Sequence, residues 1–145
     1  MSIIKLHDKY FKSYISEKLI HEAIESLVKQ VYIDCKNETP LFIGILNGCF
    51  MFVADFVREY NGDCEVSFVK LASYEGTKST GKIKQLVGVN ENLEGRTVVI
   101  LEDIIDTGNT LQEIYEIFKD KKLKQLKIAT LFFKPDVFKK ELSID

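Results

Sequence analysis

The chain has 145 residues, of which 46% are hydrophobic and 29% are charged. This size predicts a single domain over residues 1–145 and excludes a multidomain protein. Lys and Arg number 20 against 22 Asp and Glu, which gives a formal net charge of -2. Domains built mainly to bind nucleic acid usually have an excess of basic residues, so the charge balance argues against that class.

The three cysteines, Cys35, Cys49 and Cys64, are an odd number and form no C-x-x-C pair. This pattern argues against a disulfide framework and against a zinc site. The N-terminal residues carry charges where a signal peptide needs an apolar core. No apolar run approaches the roughly 20 residues of a membrane span. We therefore expect a cytoplasmic protein with no membrane partner.

The first half of the chain predicts helix, strand and helix. Apolar residues at helical spacing predict a helix from residue 16 to about 36, with Ser16 as its N-cap. The apolar run LFIGIL, 41–46, predicts a strand buried on both faces. After the turn NGCF, a second helix is predicted over 50–60. Its inner face is expected to carry Phe50, Val53, Val57 and Tyr60.

The second half continues the alternation of strands and helices. Residues 64–74 predict a strand, and the polar stretch 75–84 predicts a mobile loop. The elements that follow are a β-branched strand at 97–106, a turn at 107–110, a helix at 111–120 and a strand at 126–133. Strand–helix–strand units in series predict an α/β fold with a mostly parallel, twisted sheet flanked by helices. The carboxyl ends of such strands lie at one edge, where ligands bind.

The segment EDIIDTGNT, 102–110, is the strongest functional candidate. Glu102 and Asp103 follow a buried strand, where adjacent carboxylates repel each other unless a cation or sugar hydroxyls lie beside them. The loop beyond Asp106 contains a glycine and two threonines and leads into a helix N-terminus, which carries partial positive charge. These groups predict a phosphate cradle, and the flanking acids favour a phosphorylated sugar. The alternative is that the paired acids are exposed and that Asp106 and Thr107 cap the helix.

The stretch VVILEDIIDTGNTL, 98–111, resembles the phosphoribosyl-pyrophosphate-binding signature of the type I phosphoribosyltransferases. The two isoleucines between the acids make the chain most similar to the hypoxanthine-guanine members of that family. The similarity extends from about residue 10 to the C-terminus. It implies transfer of the 5-phosphoribosyl group from phosphoribosyl pyrophosphate to a 6-oxopurine base. The nucleotide products would be IMP or GMP, released with pyrophosphate, in purine salvage.

The resemblance implies a role for each matching position. Glu102 and Asp103 would hold the ribose hydroxyls and help to place Mg²⁺. Asp106 would be the catalytic residue, lying near purine N7 and managing its proton. The residues that would wrap the 5′-phosphate are Asp106, Thr107, Gly108, Asn109 and Thr110.

Two other segments match mobile or backbone-lined parts of the family's site. Leu46, Asn47 and Gly48 match its pyrophosphate loop, which often lies beside an unusual cis peptide. Asn47 stands where some relatives carry Lys, and its uncharged amide cannot place a positive charge beside pyrophosphate. Ser73 and Tyr74 match the start of the mobile catalytic loop, whose closure excludes water. Without the signature, these segments predict only a strand–helix turn and a surface hairpin.

Lys134 matches the lysine that donates to the purine 6-oxo group. An ammonium donates hydrogen bonds and cannot accept them, so it favours hypoxanthine and guanine over adenine, whose 6-position is an amino donor. Taken alone, Lys134 would be predicted as a surface lysine at the end of a strand.

Relatives continue past the position of Asp145 with a segment that supplies further contacts to the base, metal and pyrophosphate. We therefore expect a C-terminally truncated chain with an intact sugar-phosphate half and an incomplete base half. The family is commonly dimeric or tetrameric, so a homodimer or homotetramer is expected. Two other functions stay open. One is a nucleic-acid-binding regulator that senses phosphoribosyl pyrophosphate, and the other is a ligand-binding fragment without turnover.

Overall fold

The protein is built around a five-stranded sheet that follows a small N-terminal hairpin. The computed structural model describes residues 3–71, 85–87 and 92–139, with the backbone alone described for 85–87. The elements are β1 (Ile3–Leu6), β2 (Lys9–Lys12), α1 (Glu17–Asp34), β3 (Leu41–Leu46), α2 (Phe50–Glu59), β4 (Glu65–Lys70), β5 (Gln85–Val87), β6 (Thr97–Ile105), α3 (Asn109–Phe118) and β7 (Gln125–Phe133). Among the described helices, none is long and apolar enough to cross a membrane.

The sheet has the strand order β5-β4-β3-β6-β7. Strands β4, β3, β6 and β7 run parallel, and β5 pairs antiparallel at one edge. The predicted mostly parallel sheet is confirmed. The chain proceeds from β3 outward to β4 and then returns to the other side of β3 to form β6. The strand order therefore reverses between β3 and β6, which is where ligands bind in open α/β sheets.

The two faces of the sheet bury separate apolar clusters. The first cluster joins α1 and α2 to Phe42 and Leu101, and the second joins α3 to Ile43 and Ile100. Neighbouring residues of β3 and β6 thus point to opposite clusters, as the two-residue period of a strand requires. Because both faces are covered, β3 is almost wholly buried, as its uninterrupted apolar sequence predicts.

Gly44, in the middle of β3, allows α2 to approach the sheet closely. A Cβ built at this position would lie 2.8 Å from both Cys49 Sγ and Val53 Cγ2. Either distance is too short for real carbon contacts, so a larger residue would push the helix away. Since Cys49 immediately precedes α2, this contact also fixes the turn between β3 and α2.

The sequence predictions need three corrections in this part of the fold. Phe50 is exposed, and the inner face of α2 is formed by Phe52, Val53 and Phe56. Phe50 and Phe52 are separated by about 200° around the helix, so they cannot share one face. The strand predicted over 64–74 begins at Glu65 and ends at Lys70, before Leu71, and residues 72–74 lie outside the described residues. The hairpin β1–β2 was not predicted, because all eight of its residues are exposed and show no burial pattern.

A polar cluster lies at the N-terminal ends of the strands. Glu38, just before β3, accepts a hydrogen bond from the Thr97 hydroxyl at the start of β6. It also accepts from Lys124 Nζ at 2.6 Å, just before β7. The hydrogen bonds from Lys124 and then Thr97 are the main causes that lower the pKa of the Glu38 carboxyl. This cluster thus links the N-terminal ends of β3, β6 and β7, at the end of the sheet remote from the candidate site.

Candidate active site

The loops after β3 and β6 meet at the point where the strand order reverses. Parallel pairing of β3 with β6 places Gly44 opposite Leu101, so the chain leaves both strands at the same edge. Two cavities lie there, one of about 80 Å³ and one of about 390 Å³. Both are lined by Glu102, Ile104 and Thr110, so they are neighbours along the end of β6. The structure thus brings the predicted loop at 46–48 and the predicted segment 102–110 into one site.

The smaller cavity is formed by the loop between β6 and α3. It is lined by Glu102 and by every residue from 104 to 111. Gly108 has φ +86° and is the N-cap of α3, with no side chain capping the helix. A left-handed conformation is natural for glycine and unfavourable for most other residues. Loop amides and the positive end of α3 therefore surround a cavity that suits a phosphate group.

The position of Gly108 corrects two sequence expectations. The helix begins at Asn109, two residues earlier than predicted, so Asn109 and Thr110 belong to its first turn. The alternative in which Asp106 and Thr107 cap the helix is also wrong, because Gly108 occupies that position without a side chain. Asp106 and Thr107 are both exposed residues, so both are accessible to a ligand.

Glu102 and Asp103 form an acidic pair at the end of β6. The Glu102 residue is 7% exposed, which overturns the alternative of two exposed acids. Burial is the largest cause that raises the pKa of the Glu102 carboxyl to about 8, and contacts with Asp103 raise it further. The Asp103 amide donates to Glu102 Oε1 at 3.2 Å. A cation or hydrogen-bond donors at this position would favour the ionised form of Glu102.

The acidic pair suits Mg²⁺, which prefers oxygen ligands and is often held by one or two carboxylates together with water and phosphate oxygens. Within residues 3–71 and 92–139, no cluster of three or more His, Cys, Asp or Glu residues could hold a metal. The pair could therefore hold a cation only when other oxygen atoms complete the coordination. A pyrophosphate-bearing ligand carries such oxygens.

The turn after β3 lies directly against Asp103. A Cβ built at Gly48 would be 2.9 Å from Asp103 Oδ2 and 3.1 Å from Oδ1. The peptide bond between Leu46 and Asn47 is cis, in agreement with the feature that the resemblance implies for this loop. Asn47 is exposed beside this turn. The absence of a side chain at Gly48 therefore lets a carboxylate approach the backbone of the turn.

The larger cavity lies between this turn and the start of α3. Leu46 and Gly48 line one side, and Asp103, Thr110 and Glu113 line the other. Glu113 was not among the predicted site residues. It lies one helical turn beyond Thr110 on the same helix face, but the predicted helix began only at residue 111, so no sequence signal pointed to this neighbour.

Lys134 and Asp106 are brought together from separate strand ends. Lys134 Nζ lies 3.6 Å from Asp106 Oδ2, and each side chain is about half exposed. β7 pairs with β6 up to Ile105 and Phe133, so the residues that follow the two strands are neighbours. One ammonium and one carboxylate thus face the same open region beside the smaller cavity.

Ser73 and Tyr74, predicted to begin a mobile loop, lie outside the described residues. That assignment stays a prediction.

Comparison with known proteins decides the family. A model of the phosphoribosyl transferase domain matches residues 12–143. The chain belongs to the phosphoribosyltransferase family. It is 40% identical over 126 residues to a hypoxanthine-guanine phosphoribosyltransferase of Streptococcus pyogenes serotype M3, a match that covers 86% of this chain and 70% of the relative. The chain is thus a phosphoribosyltransferase with the α/β fold expected of that family.

Solved structures agree with this assignment. A hypoxanthine-guanine phosphoribosyltransferase from Bacillus anthracis superimposes with a TM-score of 0.82 at 35% identity, covering 93% of this chain and 80% of the other. A hypoxanthine phosphoribosyl transferase from Trypanosoma cruzi gives a TM-score of 0.82 at 29% identity, covering 98% and 78%. The phosphoribosyltransferase fold therefore extends over nearly the whole chain.

Proposed function

We propose that this phosphoribosyltransferase transfers the 5-phosphoribosyl group from phosphoribosyl pyrophosphate to hypoxanthine or guanine, for purine salvage. The observation that carries the proposal is the meeting of two cavities at the reversal of strand order. One cavity is lined by loop amides at a helix N-terminus, and the other lies between a glycine turn and an acidic pair. A substrate with a phosphate at one end and a pyrophosphate at the other matches this arrangement.

In the proposed binding mode, the 5′-phosphate occupies the smaller cavity. The amides and hydroxyls of Thr107, Gly108, Asn109 and Thr110 donate hydrogen bonds to it. The ribose hydroxyls then lie along Glu102, which lines both cavities, and Asp103, which lines the larger one. The pyrophosphate extends into the larger cavity beside the turn at Leu46, Asn47 and Gly48.

Mg²⁺ is the proposed cofactor. Glu102 and Asp103 would hold it, and when bound it would supply charge neutralisation for the departing pyrophosphate. The buried position of Glu102 supports this assignment, because a bound cation offsets the cost of ionising a carboxyl whose pKa is raised to about 8.

The contact between Lys134 and Asp106 supports their proposed roles toward the base. Atoms N7 and O6 are neighbours on one edge of guanine or hypoxanthine. The ammonium donates to O6, and the Asp106 carboxylate accepts the proton carried at N7. Two groups only 3.6 Å apart can contact two neighbouring atoms on one edge of the base. Adenine presents an amino donor at position 6, which the ammonium of Lys134 disfavours.

In the proposed reaction, the bond from ribose C1′ to the pyrophosphate oxygen breaks and a bond from C1′ to purine N9 forms. Negative charge accumulates on pyrophosphate, and the amides of the turn at 46–48 stabilise it. Positive charge accumulates on the ribose, and the neighbouring carboxylates favour it. Asp106 takes up the proton that the base loses, so the step leaves neutral nucleotide base and free pyrophosphate.

We further propose that the chain acts as one catalytic domain in the cytoplasm, as part of a homodimer or homotetramer. A regulator that senses phosphoribosyl pyrophosphate and binds nucleic acid is the second candidate of this fold. The net charge of -2 favours the enzyme.

A coupled assay tests the proposal. The chain is incubated with phosphoribosyl pyrophosphate, Mg²⁺ and one of four bases: hypoxanthine, guanine, adenine or xanthine. The expected result is nucleotide and pyrophosphate formation with hypoxanthine or guanine and much less with adenine. Asp106→Asn should abolish most of this activity, while Asp136→Asn, an exposed acid two residues beyond Lys134, should retain it. Equal turnover of adenine, or no turnover with tight nucleic-acid binding, would contradict the proposal.

A further inference from the structure

The segment that follows β7 turns back across the loop between β6 and α3. We call residues 134–139 the strap. The Lys134 amide donates to the Ile105 carbonyl at 2.9 Å, and the Lys139 amide donates to the Thr107 carbonyl at 3.3 Å. Internal bonds from Val137 and Phe138 amides, each 3.3 Å, fold the strap into turns. The two ends of the strap are therefore bonded to the loop, one where the loop leaves β6 and the other at Thr107.

The bond to the Thr107 carbonyl controls the direction of a loop amide. The peptide between Thr107 and Gly108 is trans, since the cis bond found among the described residues joins Leu46 to Asn47. In a planar trans peptide, the carbonyl and the N–H point in opposite directions. Holding the Thr107 carbonyl on the strap therefore fixes the direction of the Gly108 N–H, an amide of the smaller cavity.

Gly108 needs such an external restraint. Glycine has more accessible backbone conformations than any other residue, and Gly108 has φ +86°. On its far side, the Gly108 carbonyl accepts from the Gln112 amide of α3 at 3.0 Å. The glycine is thus held by α3 on one side and by the strap on the other.

Phe138 anchors the strap to the body of the protein. Its ring lies 5.3 Å from that of Phe133, with the planes at 73°, an edge-to-face contact. It also packs against the buried cluster between the sheet and α3, which contains Ile105 and Leu111 from the two ends of the loop. Phe138 is half-buried, whereas the other strap residues are exposed.

We propose that Phe138 is a positioning residue for the phosphate loop: its ring holds the strap in place, so that Lys139 orients the Thr107–Gly108 peptide toward the 5′-phosphate. This inference rests on the proposed function, because it assigns that loop to the phosphate of phosphoribosyl pyrophosphate. Loss of the Phe138 ring should therefore weaken binding of the sugar-phosphate end and change kcat less.

The test compares Phe138→Ala and Phe138→Leu with Phe138→Tyr, which keeps the ring. Leu126→Ala is the matched control, because Leu126 packs on the same cluster from the other end of β7. Four quantities are measured: amide hydrogen exchange over residues 105–110 and 134–139, the Kd for inorganic phosphate, and the KM and kcat for phosphoribosyl pyrophosphate.

Phe138→Ala should accelerate exchange in both segments and raise the phosphate Kd and the KM by about tenfold, the effect of one misplaced hydrogen bond. Phe138→Leu should give a smaller change in the same direction, and Phe138→Tyr should restore the wild-type values. Leu126→Ala should lower Tm without changing the phosphate Kd.

Unchanged phosphate affinity in a folded Phe138→Ala or Phe138→Leu protein would overturn the proposal, as would an equal effect of Leu126→Ala. If the wild-type chain lacked transferase activity, the proposed function would fail. Exchange and phosphate titration would still decide the role of Phe138.

Discussion

The backbone of Gly48 lies against the carboxylate of Asp103. The two residues are 55 positions apart in sequence, yet a Cβ on Gly48 would lie 2.9 Å from Asp103 Oδ2. This contact joins the turn after β3 to the acidic pair at the end of β6. Movement of either element therefore changes the position of the other.

Gly48→Ala should displace the Asp103 carboxylate. The side chain of Asp103 can rotate away, so Tm should change little, but kcat/KM should fall by about tenfold or more, as for other disturbed supports of a metal ligand. Gly44→Ala is the contrasting variant, because its Cβ would meet Cys49 and Val53 at 2.8 Å in the packed interior. It should lower Tm markedly. A Gly48→Ala protein with wild-type kcat/KM would show that the contact has no functional role.

Glu102→Gln should change how stability depends on pH. Burial, together with contacts to Asp103, raises the pKa of Glu102 from 4.5 to about 8. The folded chain therefore keeps a proton that the unfolded chain releases above pH 4.5. The contribution of this raised pKa to the free energy of unfolding is fully present below about pH 4.5. It is lost as the pH rises through about 8.

Thermal unfolding in the presence of EDTA should therefore show equal Tm values for wild type and Glu102→Gln near pH 4.5. At pH 8.5, the variant should unfold at a higher temperature. Glu22→Gln, on the exposed face of α1, provides the control, and its Tm should equal that of the wild type at both pH values. Parallel Tm curves for wild type and Glu102→Gln would contradict the raised pKa.

Lys134→Gln should weaken the discrimination against adenine. The glutamine amide can turn its carbonyl toward a 6-amino group, which the ammonium cannot do. The ratio of kcat/KM for hypoxanthine to that for adenine is the measured quantity, and it should fall. Lys121→Gln, an exposed lysine after α3, should leave the ratio unchanged. An unaltered ratio in Lys134→Gln would remove this residue from the base site.

Glu38→Gln should destabilise the fold at neutral pH and leave the chemistry unchanged. The pKa of Glu38 is lowered by its bonds to Lys124 and Thr97, so their stabilisation is present above the ordinary value of 4.5. It is lost as pH falls through the lowered pKa. The Tm of wild type and variant should therefore differ at pH 7 and converge in strong acid, with the same KM for both at pH 7. A variant with an altered KM but wild-type Tm would contradict a purely structural role.

The sequence predicted the elements whose periodicity is strong. The continuous apolar run of β3 and the mixed apolar and acidic run of β6 both became central strands, and Ser16 caps α1 by accepting from the Leu19 amide. The hairpin β1–β2 could not be predicted in this way, because its strands bury neither face. Phe50 was misplaced because its hydrophobicity alone does not give its angle around α2.

The candidate site was predictable where one contiguous motif supplies it. Residues 102–110 carry carboxylates, glycine and threonines in a single stretch, and the fold keeps them together. Contacts between residues far apart in sequence could not be predicted from any single motif. The approach of Gly48 to Asp103 and the bond from Lys139 to Thr107 depend on strand register and on the return of the chain after β7. Glu113 was missed because a single acid one turn along a helix has no distinctive pattern.

Cys49 provides a natural reporter of motion at this site. It is 0% exposed at the junction of β3 and α2, and burial raises the pKa of its thiol to about 12, with smaller contributions from Glu102 and Asp103. Because Cys49 is buried and burial disfavours its reactive thiolate, alkylation requires transient separation of α2 from the sheet. Cys64 is only partly buried and should react first. The rate at which iodoacetamide labels Cys49 would then record how often the turn beside Asp103 opens, without the need to introduce a cysteine by mutation.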